Sequence, residues 1–482
     1  MTARRIAPAE RTVRFTFDGR AFEGVEGESL AVALLAADRV VLSRSFRFHR
    51  PRGLMCSTGG CGWCECEVDG VPSVRSCRVP VRDGLVARGE HAWPSVEHDL
   101  LSGVGWFSRW IPPTFYHHRF LRPRSLRKRY LDVLRRFGGR GRLTIAGRAG
   151  APPGRRTQRL DSDVLVVGGG PAGVAAATRA AEAGSTIILI EADRSVEPLA
   201  GVQVLADVAA VGWYDGMVAA LGDDAAYEIT AGTVIAATGS YDRVPLVPGA
   251  DRPGVVAARL VTDLIARHGV LPGRRVLLVG EGPDVAAVAE RLEEAGSGVV
   301  HGPIPTAALV AVHGRRRVMG AVIVAGGRQQ RIAVDLIVFG DRSPNLDFVL
   351  AAGAAIERRG DTLVPVLDAV GRTTVPSLSV VGSATGRSGA STSAGSGPAP
   401  ADAHDDAMVC FCEDVRAHEV RAELAAGYTN PELVKRRTGA MTGPCQGKSC
   451  LQAFACVAGT ESVPTARPPL RPVRLGDLVP PP

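Results

Sequence analysis

Ten cysteines in 482 residues fall into two groups, five between Cys56 and Cys77 and five between Cys410 and Cys456. Thiols gathered near the two ends of a chain, with none between, point to metal or redox chemistry rather than to disulfides. In the first group, CSTGGCGWCECEVDGVPSVRSC, Cys56, Cys61 and Cys64 are spaced C-x4-C-x2-C. That is the plant-type spacing for a [2Fe–2S] cluster, which takes a fourth thiolate from further along the chain. Cys77 is the expected fourth ligand, because it returns on the strand after a hairpin. Gly59, Gly60 and Gly62 permit tight turns and leave backbone amides to bond the sulfurs. Cys66 is not counted among the four ligands and is expected to face away from them. A structural zinc site is the competing reading, but zinc prefers paired C-x2-C knuckles, which this stretch lacks.

The second group places Cys410-x-Cys412 ahead of Cys445-x4-Cys450, with 32 residues between the pairs. The intervening VRAHEVRAELAAGYTNPELVKRRTG predicts two short helices with a turn from Gly427 to Pro431, which would bring the pairs together. Four thiolates suit zinc or a second [2Fe–2S] cluster. The iron–sulfur reading is taken, with zinc as its rival. Cys456 lies outside the pattern and is expected to be a buried thiol.

A third chemistry-bearing motif is DVLVVGGGPAGVAAATRAAEAGSTIILIEAD. It predicts a strand, a glycine turn at Gly168, Gly170 and Gly173, a helix opening at Pro171 and Ala172, and a second strand ending at Glu191. Such a turn lets backbone approach a pyrophosphate at the helix N-terminus, and the terminal acid accepts from a ribose hydroxyl. A later unit, RRVLLVGEGPDVAAVAERLEEAGSGVV, keeps Gly280 and Gly282 but has Val285 at the third glycine and His301 on the next strand. It reads as a structural repeat, with nicotinamide nucleotide, NAD(P), disfavoured there.

The elements that must position these residues follow from pattern and composition. RFTFDGRAFEGVEG and CECEVDGVPSV alternate around Asp18-Gly19 and Asp69-Gly70, as hairpins do, and ESLAVALLAA has helical spacing. From Ser162 to Thr385 apolar strands alternate with Ala-rich helices, which indicates doubly wound α/β structure. GRSGASTSAGSGPAPADAHDD reads as a linker, and PPLRPVRLGDLVPPP as an extended or disordered end. The chain is 45% hydrophobic and 22% charged, which excludes wholesale disorder and a small disulfide scaffold. It has neither a long apolar run nor a signal-like start, so a cytoplasmic protein without a membrane span is expected, peripheral association remaining open.

Residues 101–160 carry 15 basic side chains against one acid, Asp132, a local +14 that leaves −6 on the rest of a +8 chain. Trp106, Phe107, Trp110, Phe115, Tyr116 and Phe120 lie among them. Large apolar anchors beside arginines mark a protein interface in preference to a nucleic-acid footprint. His117 and His118 are adjacent and lack metal-ligand spacing, and His49 reads as structural. No Ser/His/Asp or Cys/His nucleophile and no paired carboxylates stand out, so no catalytic residue is assigned.

The ordered combination of these motifs, with RFTFDGRAFEGVEGESLAVALLAA, SFRFHRPRG, DLLSGVGWFSRWIPPTFYHHRFLRP, GGGPAG, AATGSYDRVPLVPGADRPGVV and VLPGRRVLLVG, resembles the alpha subunit of heteromeric sarcosine oxidase. Related hydrogen cyanide synthase, opine oxidase and proline or hydroxyproline dehydrogenase subunits share the pattern. CFCED and GPCQGKSC resemble a bacterioferritin-associated-ferredoxin-type [2Fe–2S] module. The resemblance implies an α/β fold: an N-terminal β-grasp ferredoxin-like domain, a trimmed Rossmann-type two-dinucleotide-binding flavoprotein fold, and a small helical C-terminal iron–sulfur domain. The implied boundaries are 10–94 for the first domain, 95–160 for the interface segment and 161–385 for the Rossmann region. A linker at 386–406, the second iron–sulfur domain at 407–460 and a tail at 461–482 complete the chain.

By the same resemblance, Gly168, Gly170, Pro171, Ala172, Gly173 and Glu191 hold the ADP half of FAD, with Thr238, Gly239 and Gly382 beside it. The sequence departs from the family after Glu191, where EADRSVEPLAGVQVL runs almost directly into the next strands. It departs again at Gly382-Ser383, where the family has Gly-Asp, and a linker replaces the helix that follows. The implied function is electron transfer, from a catalytic flavin-containing beta subunit through the clusters and FAD to an external acceptor. The alternatives are a self-contained NAD(P)H-dependent reductase and a non-catalytic cluster-bearing scaffold with a vacant flavin fold.

Overall fold

The computed structural model describes residues 3–8, 11–56, 58–118, 123–138, 155–192, 196–387 and 403–473. Most of the 386–406 linker, Phe120, residues 139–154 of the basic segment and the last residues of the tail lie outside that set, as do the side chains of His117 and His118. Two compact units divide the chain, and neither is continuous in sequence. One gathers residues 1–143, 242–341 and 393–462; the other gathers 144–241, 342–392 and 463–482.

In the first unit, the strands Thr12–Phe17 and Arg20–Val25 pair antiparallel. Their turn residues Asp18 and Gly19 have φ of 50° and 75°. Asp69 and Gly70, at 49° and 79°, close the hairpin of Glu65–Val68 with Val71–Arg75. Both central residues therefore sit at positive φ, the mirror-image turn whose twist matches paired strands, and Asp-Gly is suited to it. The five-stranded sheet runs in the order Arg20–Val25, Thr12–Phe17, Val86–Gly89, Glu65–Val68, Val71–Arg75. Its central pair, Thr12–Phe17 with Val86–Gly89, is parallel. The helix Leu30–Ala36, capped by Ser29, buries Leu30 to Leu35 against it. Phe15, Phe17, Leu30 and Leu34 anchor that core.

The same unit holds a four-stranded parallel sheet, Val255–Ala257, Leu336–Phe339, Arg275–Val279 and Val299–Ile304 in spatial order. It also holds the helices Ala417–Ala425, Pro431–Thr438 and Leu451–Ala458. Residues 242–341 thus group with both cysteine modules, whereas the sequence reading joined them to the first glycine unit in a single 161–385 region. The reason is packing: their strands share a core with Phe15, Cys61, Trp63, Met408 and Phe411. Local periodicity carries no information about which core a strand joins.

The second unit is built on a seven-stranded sheet. Val202–Ala206, Ile187–Glu191, Arg156–Val167, Ala225–Ala236, Met217–Leu221 and Ala209–Tyr214 lie side by side, and Leu378–Val380 also pairs with Ala225–Ala236. The helix Pro171–Glu182 follows the glycine turn, with proline in its first turn. The tail beyond 463 belongs to this unit. Its Leu470 is buried in the core, with the Leu470 amide donating to Val211 O at 2.8 Å.

Candidate functional site

The first cysteine set is assembled by one loop and the hairpin after it. Cys56, Cys61 and Cys64 are buried and Cys77 is half-buried. Ser76 donates to Cys64 O from its amide (3.1 Å) and its hydroxyl (2.7 Å), which sets Cys77 beside Cys64. Gly59 and Gly62 take φ of 69° and 71°, turns that side chains resist. The Trp63 amide donates to Cys61 Sγ at 3.5 Å and the Thr58 hydroxyl to Cys56 Sγ at 3.7 Å. N–H and O–H donors aimed at sulfur are what a thiolate-bound iron core calls for. Cys61 hydrogen-bonds the Cys56 sulfur and holds its pKa down to about 6. Cys77 likewise lowers Cys64. Cys66, in the strand Glu65–Val68, is pushed well up by burial.

The second set closes across a longer stretch of chain. Cys410 and Cys445 each lie within hydrogen-bonding reach of Cys412 and Cys450, so the four free thiols face one another. Sharing of hydrogen bonds among them lowers Cys410 and Cys445 and raises Cys412 and Cys450. Gly443 is required here, because a Cβ at that position would stand 2.2 Å from Cys412 Cβ. Cys456 is buried in the following helix. Among the described residues, no group of three or more His, Cys, Asp or Glu side chains is gathered as for a single metal ion.

A buried charge network ties the two modules together, and motif spacing gave no sign of it. Arg47 donates to Asp414 O at 2.9 Å and to Glu419 Oε2 at 3.0 Å. Arg52 donates to Phe411 O (3.0 Å), Asp414 Oδ1 (2.7 Å) and Asp251 Oδ2 (2.6 Å), while Arg50 takes both Asp251 oxygens. Burial would raise Asp251, but Arg50 and Arg52 outweigh it and hold the carboxyl far below its ordinary range. The available signal was the arginine density of SFRFHRPRG in an otherwise apolar neighbourhood. His49 is structural, its Nδ1 3.0 Å from Asp99 Oδ2 in a buried pair.

A cleft of about 260 Å³ lies between the two cysteine loops, lined by Trp63, Glu65, His91, Phe411, Cys412 and Pro444 among others. Burial pushes the Glu65 carboxyl up to about 8, against Arg75, with Glu90, Cys64 and Cys445 adding to the rise.

In the second unit the glycine turn forms as expected. A Cβ at Gly168 would stand 2.4 Å from Ala237 O, and one at Gly173 1.9 Å from Gly168 O, so both positions are restricted to glycine. Above Gly170, the residue that caps the helix, the space is open. Open space of this kind at a helix N-terminus is able to admit a pyrophosphate. The Glu191 carboxylate accepts from the Gly169 amide at 2.5 Å. Thr238 and Asn345 exchange hydrogen bonds, and a Cβ at Gly382 would meet Ala172 Cβ at 2.6 Å. A recess of about 90 Å³ beside Gly168 and Thr238 is bounded by Asp347, Leu470 and Arg471. In the second glycine motif the third position holds Val285, which is buried in the core and would lie 2.1 Å from a Cβ at Gly340.

Three stretches of the chain match known protein families. Residues 10–92 match the family model of a 2Fe-2S iron-sulfur cluster binding domain, 163–196 that of an FAD dependent oxidoreductase, and 404–479 that of the sarcosine oxidase A3 domain. The sarcosine oxidase alpha subunit of Rhizobium meliloti (strain 1021) is 29% identical over 96% of this chain. Along nearly its whole length, then, this chain is similar to the sarcosine oxidase alpha subunit. The chain spans 57% of that relative's length. An opine oxidase subunit of the same organism is 38% identical over 82 residues, 15% of this chain and 18% of its own. The crystal structure of L-proline dehydrogenase from P. horikoshii superposes with a TM-score of 0.72, covering 99% of this chain and 100% of that one at 23% identity, which shows a shared fold. The matches support [2Fe–2S] and FAD as cofactors of this chain. Among the described residues no helix is long and apolar enough to cross a membrane.

Proposed function

We propose that this chain is the electron-transfer alpha-type subunit of a heteromeric amine or amino-acid dehydrogenase of the sarcosine, proline/hydroxyproline or opine class. It links a catalytic, flavin-containing beta subunit to an external electron acceptor and works in the cytoplasm. The observation that carries this reading is the presence of two four-cysteine sets in one compact unit of a chain that also builds a dinucleotide cradle. When bound, [2Fe–2S] clusters carry electrons singly and FAD carries them in pairs.

The protein's own part is ligation, orientation and exclusion of water. Cys56, Cys61, Cys64 and Cys77 are the ligands of one cluster; Cys410, Cys412, Cys445 and Cys450 are those of the other. The Trp63 amide and Thr58 hydroxyl bond the sulfurs of the first set. Gly168, Gly170 and Gly173 admit the pyrophosphate, with the Pro171–Glu182 helix supplying its N-terminus. Thr238, Gly239 and Gly382 pack beside it. The exposed aromatics Trp106, Phe107 and Trp110, the first 85% exposed, support a docking surface for the catalytic partner. They precede the arginine-rich helix Arg124–Gly138.

Purification of the native complex, with quantification of iron, zinc and flavin per chain, tests the proposal. Iron and flavin together, with amine-dependent bleaching only when the partner is present, is the expected result. Rapid reduction of the isolated chain's flavin by a nicotinamide nucleotide would favour a self-contained reductase instead. Iron without flavin would favour the scaffold.

A further inference from the structure

Trp63 lies between the ligands Cys61 and Cys64, and Phe411 lies between Cys410 and Cys412. Their rings meet with centroids 4.7 Å apart. Both residues are buried, Trp63 at 2% exposure, and the Trp63 indole N–H has no hydrogen-bond partner among the described residues. The loops touch at a second point, where a Cβ on Gly62 would lie 3.6 Å from Pro444 Cγ and 3.7 Å from the Cys445 amide nitrogen. Arg75 supplies a third link, donating to Gly59 O in the first loop and to Pro444 O, at 3.0 Å, in the second. Two modules that merely shared a chain would have no reason to press their ligand loops together through an aromatic pair, a backbone contact and a bridging guanidinium.

We infer that Trp63, Phe411 and Arg75 join the two cysteine sets into one electron-exchange centre, in which each set senses the redox state of the other. The inference rests on the reading that both sets hold [2Fe–2S] clusters. Exchange within the centre moves one electron from the reduced set to the oxidised one, with no bond made or broken and no proton taken up. Its structural requirement is short separation through well-packed atoms, which the Trp63–Phe411 contact supplies. Arg75 is a positioning residue: it touches backbone carbonyls of both loops and no sulfur.

Electron paramagnetic resonance on the purified full-length chain, reduced in steps with dithionite, tests this. The signal of the half-reduced protein is expected to be simple, and that of the fully reduced protein broadened or split by interaction between two paramagnetic clusters. Cys450→Ser, which removes a ligand of the second set, provides the reference, and its fully reduced spectrum is expected to lose the splitting. A fully reduced wild-type spectrum equal to the sum of two independent signals, in a sample with about four irons per chain, would overturn the inference while leaving the ligand assignment standing. About two irons per chain would overturn the ligand reading itself. In Arg75→Gln, unchanged iron with a diminished splitting is expected, and an undiminished splitting would remove Arg75 from the centre.

Discussion

The two cysteine sets reach similar donor chemistry by different routes. The first is local: a glycine-bearing loop and the hairpin after it, with Ser76 holding Cys77 to Cys64. The second closes over two intervening helices and is held from outside, through Arg47 to Asp414 O and Glu419, and through Arg52 to Phe411 O and Asp414. A local site depends on its own turn residues; a distributed one inherits the stability of every module that buttresses it. The two sets should therefore fail differently.

The largest expected effect comes from the ligands. Cys56→Ser and Cys410→Ser are each expected to lower iron from about four to about two per chain, the survivor belonging to the untouched set. Loss of all iron in either variant would show that the sets do not load independently. Next is Asp251→Ala, which leaves the half-buried Arg50 guanidinium without its carboxylate and the buried Arg52 with Asp414 alone. A penalty of about 3–5 kcal/mol in unfolding free energy is expected, with iron lost from the second set before the first. Equal loss from both would erase the distinction between local and distributed assembly.

A smaller effect should appear on the pH axis of the first module. Burial raises the Glu90 carboxyl above its ordinary value of 4.5, against hydrogen bonds from Ser73. The fold thus holds the proton more tightly than the unfolded chain does. Its contribution to stability is complete below 4.5 and is lost as pH rises through the raised value. The melting temperature should accordingly fall as pH rises above 4.5, and Glu90→Gln should flatten that fall. An unchanged slope in the variant would dismiss Glu90 as its source. The smallest change is expected for Cys66→Ser, with iron unaffected and stability reduced by about 1–3 kcal/mol for a buried hydroxyl. Iron loss there would place Cys66 among the ligands.

The same contrast explains what the sequence makes legible. The C-x4-C-x2-C loop, both Asp-Gly hairpins and the strand–turn–helix at Gly168 are each specified within a few tens of residues, and the structure forms each where its pattern stands. The second glycine motif is equally readable, since Val285 in place of a glycine is a local fact. What was not legible lies at long range. Arg52 and Asp414 are separated by 362 positions, and no periodicity links them. The grouping of 242–341 with the cysteine modules, and the docking of Leu470 on the core of the glycine-turn unit, depend on which apolar faces complement one another in space. The Trp63–Phe411 contact belongs to the same class: each aromatic is plainly placed within its own motif, but only the folded chain brings the two motifs together.

The most direct test of the central claim is the metal and sulfide content of the chain purified without added metal. About four irons and about four acid-labile sulfides per chain, with zinc absent, is the expected result. About two irons accompanied by zinc, or zinc alone, would contradict the assignment of both cysteine sets to [2Fe–2S] clusters.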